Sequence, residues 1–374
     1  MPPSHNELVQ GIRQWIECES PSRSPVELRR MAGIVTAKAR DAGLNVAETD
    51  LGGTTGPALV LGNRAPGDDR KGILILGHYD TVHPVGTLQK NACRIEDGKL
   101  YGPGSYDMKG GAFLALTALG TLSRAGDTRL PVEFLMVPDE EVGSDLSRAL
   151  TESWAPRTRY TLLPEPARAN GGRCVTARKG TGLARITVHG RPAHAGIAHE
   201  KGRNAILEMA HQIIAIEAIT DYDAGVTVNV GTIEGGTTSN VVPGLCQVVV
   251  DFRLPSMEAA RAILAKLDAL KPVNPDLRIE IQAEVNRPPM PRTDAVGELF
   301  LKVRGFAAEV GIDLEEAPIS GGGSDGNFIA AKGVPVLDAL GADGDGAHTL
   351  KEHILIETLP QRLAFWQTIL RGLD

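Results

Sequence analysis

The chain of 374 residues contains only four cysteines, no long apolar run and no excess of positive charge. Cys18, Cys93, Cys174 and Cys246 stand far apart, so they form neither a CxxC metal site nor a dense disulfide framework. They are expected to be reduced and packed inside. No apolar stretch approaches the ~20 residues that a membrane span needs. The N-terminus, MPPSHNELVQGIRQWIE, enters a helix-like pattern directly, without the basic-then-apolar segment of a secretory signal. A cytoplasmic location is therefore expected. A net charge of −7 argues against nucleic acid or an anionic membrane as the main partner. Repeats and low-complexity tracts are also missing. What is left is ordinary globular composition, in a chain longer than the ~250–300 residues that one core usually serves. Two domains are expected.

The hydrophobic pattern divides the chain. Helical periodicity over 6–17 and 25–42 ends at Gly43, a residue suited to a helix C-cap. GILILGHYD (72–80), VEFLMVPDEE (132–141) and YTLLPEP (160–166) are apolar runs without polar alternation, as expected of strands buried on both faces. MKGGAFLALTALGTLSRAG (108–126) between them reads as a helix, and the whole as an open, mostly parallel α/β sheet. From about residue 173 the texture changes. TGLARITVHG (181–190) alternates, and helices and strands then follow in the order β-α-β-β-α-β up to 287, a ferredoxin-like α+β arrangement. After Pro288-Pro289 the α/β rhythm resumes with a helix, a strand at 333–341 and a closing helix. The expected domains are a discontinuous one over 1–172 and 288–374 and an inserted one over 173–287.

Acids and histidines gather where these strands end, the edge at which open α/β sheets bind ligands. His78 and Asp80 close one strand, Glu140 and Glu141 the next, Glu165 a third, and His348 follows the last. Asp107 lies in the glycine-rich loop GPGSYDMKGG. Singly, each could be a helix cap or a solvated charge. Together, two imidazoles and several carboxylates on one rim would repel unless cations sat among them. Nitrogen and oxygen donors without thiolate suit Zn²⁺, with Co²⁺ or Mn²⁺ as substitutes. His78 and Asp80 alternate along a strand and so project the same way, which suits a ligand backed by an orienting carboxylate. Spacing alone leaves open which of Glu140 and Glu141 is a ligand.

The motifs GHYDTV (77–82), YGPGSYDMKGG (101–111), PDEEVGS (138–144), LPEP (163–166), GRPAHAG (190–196), GRNA (202–205), SNVVP (239–243) and GAHT (346–349), in this order, resemble one family. It is that of the zinc exopeptidases, which includes glutamate carboxypeptidase, peptidase T, succinyl-diaminopimelate desuccinylase, acetylornithine deacetylase and aminoacylase. The resemblance spans essentially the whole chain. It implies a metallopeptidase domain carrying an inserted lid that also dimerises. It implies two Zn²⁺ bridged by Asp107, with His78 and Glu165 at one ion and Glu141 and His348 at the other. It makes Glu140 the general base, Asp80 the carboxylate behind His78, and His194 an oxyanion donor that reaches the opposite subunit's site beside Asn240.

Within the family the chain leans toward glutamate carboxypeptidase. ARKGTG (177–182) offers Lys179 and Thr181, DFRLP (251–255) offers Arg253 for a substrate carboxylate, and NRPPM (286–290) offers Arg287. SGGGSDGNF (320–328) supplies a backbone-rich loop with Gly323 at its centre. The implied substrate is a small N-acyl amino acid or short peptide. His199 stands where relatives commonly have proline and is read as a loop residue. His83, His189, His211 and His353 are read as packed or solvated. An N-acyl amino-acid deacylase is the close rival, because both activities share the same chemistry. A non-catalytic binder would have lost a ligand or Glu140, and neither is lost. A dinucleotide site in GPGSYD is excluded because Asp107 stands where the third glycine of G-x-G-x-x-G belongs.

Overall fold

The computed structural model describes residues 3–168 and 171–374. They form two compact units: the described residues up to 177 with Arg292–Ser320 and Ser324–Asp374, and Arg178–Pro291 with Gly321–Gly323. No helix among the described residues is long and apolar enough to cross a membrane.

The larger unit is built on a six-stranded sheet. Its strands are β1 (Asn45–Thr49), β2 (Ala58–Gly62), β3 (Gly72–His78), β6 (Val132–Val137), β7 (Thr158–Leu162) and β14 (Val336–Leu337), in the order β1-β2-β6-β3-β7-β14. β6, β3, β7 and β14 run parallel, and β2 and β1 join antiparallel at one edge. Every residue of β3 and β6 is buried, which explains why their sequences show no polar alternation. The helices Gly110–Ala125 and Leu359–Gly372 supply a large part of the apolar cover, and Trp15 meets Phe113 edge-on in the same core. Beside this sheet lies a smaller one, β15-β16-β5-β4, formed by Gly344–Asp345 (β15), His353–Leu355 (β16), Lys99–Tyr101 (β5) and Arg94–Glu96 (β4). A two-stranded pair, β8 (Arg173–Cys174) with β13 (Glu315–Glu316), completes this unit.

Several strands are shorter than their hydrophobic runs suggest. The run 132–141 leaves the sheet at Val137 because Pro138 has no N–H to offer, and Glu140–Val142 form a 3-10 turn. The run 333–341 keeps regular pairing only over β14. Ala339 adopts a left-handed φ of 62°, which breaks the ladder, while Leu340 and Gly341 still donate to the carbonyls of Leu163 and Glu165.

The smaller unit is a four-stranded antiparallel sheet, ordered β10-β11-β9-β12, with its own core. β9 is Gly180–His189, β10 Thr227–Gly235, β11 Leu245–Leu254 and β12 Arg278–Arg287. The helices Ala205–Glu217 and Met257–Asp268 connect β9 to β10 and β11 to β12, the β-α-β-β-α-β order read from the sequence. β12 contains a bulge between Val285 and Arg287. The helix Ala205–Glu217 leaves Leu207 and Ile214 exposed, one heptad apart, and the edge strand β10 exposes Ile233.

Candidate metal centre and active site

The carboxyl ends of the parallel strands deliver the polar residues to one rim. His78 is the last residue of β3, Glu140 and Glu141 lie on the turn after β6, and Glu165 follows β7 by three positions. Gly77 permits the close approach beneath His78, since a Cβ there would lie 2.9 Å from Met108 Cε. Asp107 reaches the same place from the loop before the helix Gly110–Ala125, and His348 from the segment between β15 and β16.

Two groups of potential metal donors result: His78, Asp107 and Glu165, and Asp107, Glu141 and His348. Asp107 belongs to both, and its two oxygens divide the work. Oδ1 lies 3.3 Å from His78 Nε2, and Oδ2 lies 3.2 Å from His348 Nε2. His78 Nε2 is 3.8 Å from Glu165 Oε1, and His348 Nε2 is 3.3 Å from Glu141 Oε2. Glu140 falls in neither group.

The charges explain what this arrangement suits. Burial drives the Glu165 carboxyl well above its usual range, and the nearby Asp107 charge adds to this. Burial also raises Glu141. Burial works against Asp107 as well, but hydrogen bonds from His348 and His78 outweigh it and hold that carboxyl well below the usual range. His348 is pushed up to about 10, first by its hydrogen bonds to Asp107 and Glu141. His78 is raised well above the usual imidazole value, because Asp107 and Asp80 outweigh its burial. As bare groups, then, burial opposes the charge on Glu165 and Glu141, while the surrounding acids draw both imidazoles toward the protonated form. Divalent cations with nitrogen and oxygen preference fit this donor set, three protein groups to each ion with Asp107 shared.

Asp80 is fully buried and holds the rim together. Oδ1 accepts from the Glu140 N–H at 3.2 Å, and Oδ2 from the Glu141 N–H at 3.1 Å and from Ser22 Oγ at 2.6 Å. Oδ1 also lies 3.3 Å from His78 Nδ1. One carboxylate thus steadies an imidazole and the backbone of two successive glutamates. Arg362, 2% exposed, donates to the carbonyls of Leu340, Gly341 and Gly171, while the Gly341 N–H donates to the Glu165 main-chain carbonyl. Neither Ser22 nor Arg362 stands out in the sequence, because their partners are a distant carboxylate and main-chain carbonyls.

The remaining site candidates belong to the smaller unit. Register places Arg253 and Arg287 on either side of Thr181, on β11, β12 and β9 respectively. A Cβ on Gly323 would meet Thr181 Cγ2 at 3.0 Å and Arg287 Cδ at 2.9 Å, so these four residues form one cluster. The Arg253 guanidinium also forks onto Asp251, at 2.7 and 3.0 Å, and donates to the Gly321 carbonyl. Lys179 stands outside the row, one position before β9, close to Gly225. His194 and Asn240 are neighbours: the Ala195 N–H donates to the Asn240 carbonyl, and His194 pairs with Val241. His194 Nδ1 accepts from the N–H groups of Gly196 and Ile197 at 3.1 and 3.2 Å. The neutral ring therefore carries its proton on Nε2, as a donor.

Fold and site together define a hydrolase of the metal-dependent α/β class. Residues 74–372 match the model of Peptidase family M20/M25/M40, and the chain belongs to that family. Its members include metallopeptidases and deacylases, and the chain is a hydrolase acting on peptide or amide C–N bonds. It is 29% identical to carboxypeptidase G2 of Pseudomonas sp. over 95% of this chain and 86% of that one. It is 30% identical to succinyl-diaminopimelate desuccinylase of Dechloromonas aromatica over 79% and 82%. The crystal structure of aminopeptidase PepT from Bacillus cereus superimposes with a TM-score of 0.77, at 25% identity and 98% coverage of both chains.

Proposed function

We propose that the chain is a di-zinc carboxypeptidase that releases an amino acid with a free α-carboxylate, glutamate-like in preference, from a small N-acyl or peptide substrate. The observation that carries this reading is the pair of donor groups joined by Asp107, with Glu140 beside them and in neither. His78 and Glu165 would hold one ion, Glu141 and His348 the other, and Asp107 both. When bound, the ions supply Lewis acidity toward the scissile carbonyl and the attacking water. Glu140, its backbone fixed by Asp80, takes a proton from that water and passes it to the leaving amine. His194 donates through Nε2–H to the carbonyl oxygen as negative charge builds there. Arg253, Thr181, Arg287 and the Gly323 loop offer a carboxylate both cationic and neutral donors, with Lys179 nearby. The extensive match to carboxypeptidase G2 supports the carboxypeptidase reading.

A homodimer fits the exposed Leu207, Ile214 and Ile233, which would pair with their mates across a two-fold axis and bring His194 to the partner's site. The matches to acetylornithine deacetylase and succinyl-diaminopimelate desuccinylase favour a second reading, an N-acyl amino-acid deacylase selective for the acyl side. A panel of N-acyl and dipeptide substrates, run on chelated protein reloaded with Zn²⁺, Co²⁺ or Mn²⁺, decides between the two. Selectivity that follows the released amino acid supports the carboxypeptidase, and selectivity that follows the acyl group supports the deacylase. Full turnover by verified metal-free protein overturns both.

A further inference from the structure

Several buried acids have no part in the reading above, and one of them, Glu352, bonds to the Asp107 main chain. Glu352 is 1% exposed, and its carboxylate takes part in four short polar contacts. Oε1 accepts from the N–H of Tyr106 at 3.0 Å and of Asp107 at 2.9 Å. Oε2 accepts from the N–H of Gly104 at 2.8 Å and lies 2.9 Å from Nε2 of His83, itself 7% exposed. The Glu352 carbonyl also accepts from Gly102 N–H at 3.2 Å. Gly104 can turn its amide inward because it adopts a left-handed φ of 72°, and a Cβ there would lie 2.6 Å from Thr81 Cγ2.

Glu352 and these partners lie on three different segments. His83 follows His78 and Asp80 on the chain leaving β3. Tyr106 and Asp107 belong to the glycine-rich loop. Glu352 follows His348 by four residues, just before β16. A single carboxylate therefore fastens together the segments that present His78, Asp107 and His348. Several N–H groups converging on one buried anion form charge-assisted bonds, each stronger than a neutral one, and they fix the backbone from which the Asp107 side chain departs.

We infer that Glu352, oriented by His83, is a positioning residue for the metal centre. It holds the Asp107 backbone so that one carboxylate oxygen faces His78 and the other His348. The inference rests on the assignment of metal ligands under Proposed function. A buried acid that served only as a staple would lower the stability of the metal-free protein and leave metal affinity alone. A positioning acid changes affinity and coordination, and outer-shell partners of metal ligands typically matter by ~10–100-fold in affinity.

The test uses the full chain, chelated and then titrated with Co²⁺, followed by calorimetry and visible absorption. The proteins are wild type, Glu352→Gln, His83→Phe and His83→Gln, with thermal midpoints of each metal-free form as the stability control. Glu352→Gln sets an NH₂ group against at least one main-chain N–H. It is expected to weaken at least one Co²⁺ binding event by roughly 10–100-fold and to shift the cobalt bands. His83→Phe is expected to act in the same direction, and His83→Gln, which keeps a side-chain N–H for Oε2, to restore affinity toward wild type. Wild-type cobalt affinity and spectra in folded Glu352→Gln and in His83→Phe overturn the inference, whatever happens to the thermal midpoints. If Glu352→Gln does not fold, the two His83 variants decide on the same readout. Wild-type protein that takes up no cobalt overturns the metal reading itself, and the inference with it.

Discussion

Replacing Glu140 and Glu141 one at a time by glutamine separates two carboxylates that are adjacent in sequence and alike in chemistry. Glu141 Oε2 lies 3.3 Å from His348 Nε2 within the second donor group. The Glu141→Gln change removes the charge of one donor in three, at a side chain 7% exposed in a group whose His348 is exposed. The cost should lie at or below the lower end of that for breaking a buried charge pair, ~3 kcal/mol, or about two decades in affinity for that ion, because the exposed His348 is screened by solvent. The Glu140 side chain is outside both groups, so Glu140→Gln should retain both ions and wild-type KM. It removes the base instead, which should lower kcat by ~10²–10⁴-fold, or ~2.7–5.4 kcal/mol in activation free energy. Elemental analysis after gel filtration, alongside steady-state kinetics on an N-acyl amino acid, reads both quantities on one preparation. A Glu140 variant that loses an ion while the Glu141 variant keeps both would refute the division of roles.

Three further outcomes follow from the same geometry. The folded-state His348 value of about 10 lies above the ordinary 6.5, so its contribution to stability is complete below about pH 6.5 and is lost as pH rises toward 10. Scanning fluorimetry of chelated protein should show the thermal midpoint falling across that window, with no matching slope in the metal-loaded form; coincident profiles would count against His348 as a ligand. Arg253→Ala should weaken substrates with a free α-carboxylate by ~2–5 kcal/mol in kcat/KM and barely affect amidated analogues. Equal losses on both would leave Arg253 as a structural partner of Asp251. Mixing inactive His194→Ala with inactive Glu140→Gln protein should restore up to about a quarter of wild-type activity if His194 serves the opposite subunit, since half of randomly paired dimers regain one site of two. Mixtures that stay inactive after subunit exchange would remove the trans role.

β3 and β6 were legible because burial on both faces leaves an unbroken apolar run, and the acids and histidines were legible because parallel pairing sends the carboxyl ends of β3, β6 and β7 to one rim. The short strands β1, β2, β4, β5, β8, β13, β15 and β16 were not read, being too brief for a periodic signal. β14 was overread because the left-handed Ala339 sits inside an apolar run that looks regular. The adjacent pair Glu140-Glu141 could not be divided by spacing; the division lies in where the side chains go, Glu141 to His348 and Glu140 into neither donor group. Glu352 escaped notice for a different reason. Three of its four partners are backbone N–H groups about 245 residues away, and main-chain donors carry no residue signature. The one available signal was an acid four places after His348, next to a histidine.

The bulge in β12 bears on how a site of this kind can change its preference. Val285 faces Gly182 and Arg287 faces Thr181, so Asn286 is a supernumerary residue in that strand. A strand paired without the extra residue would stand Asn286, a neutral amide, beside Thr181 and turn the guanidinium to the opposite face. The group next to Thr181 is thus selected by how the chain is counted as much as by which side chains it contains. Moving the irregularity by one position toward the C-terminus would exchange a cation for an amide in that row with no substitution in it, a route to new ligand preference through insertion or deletion alone.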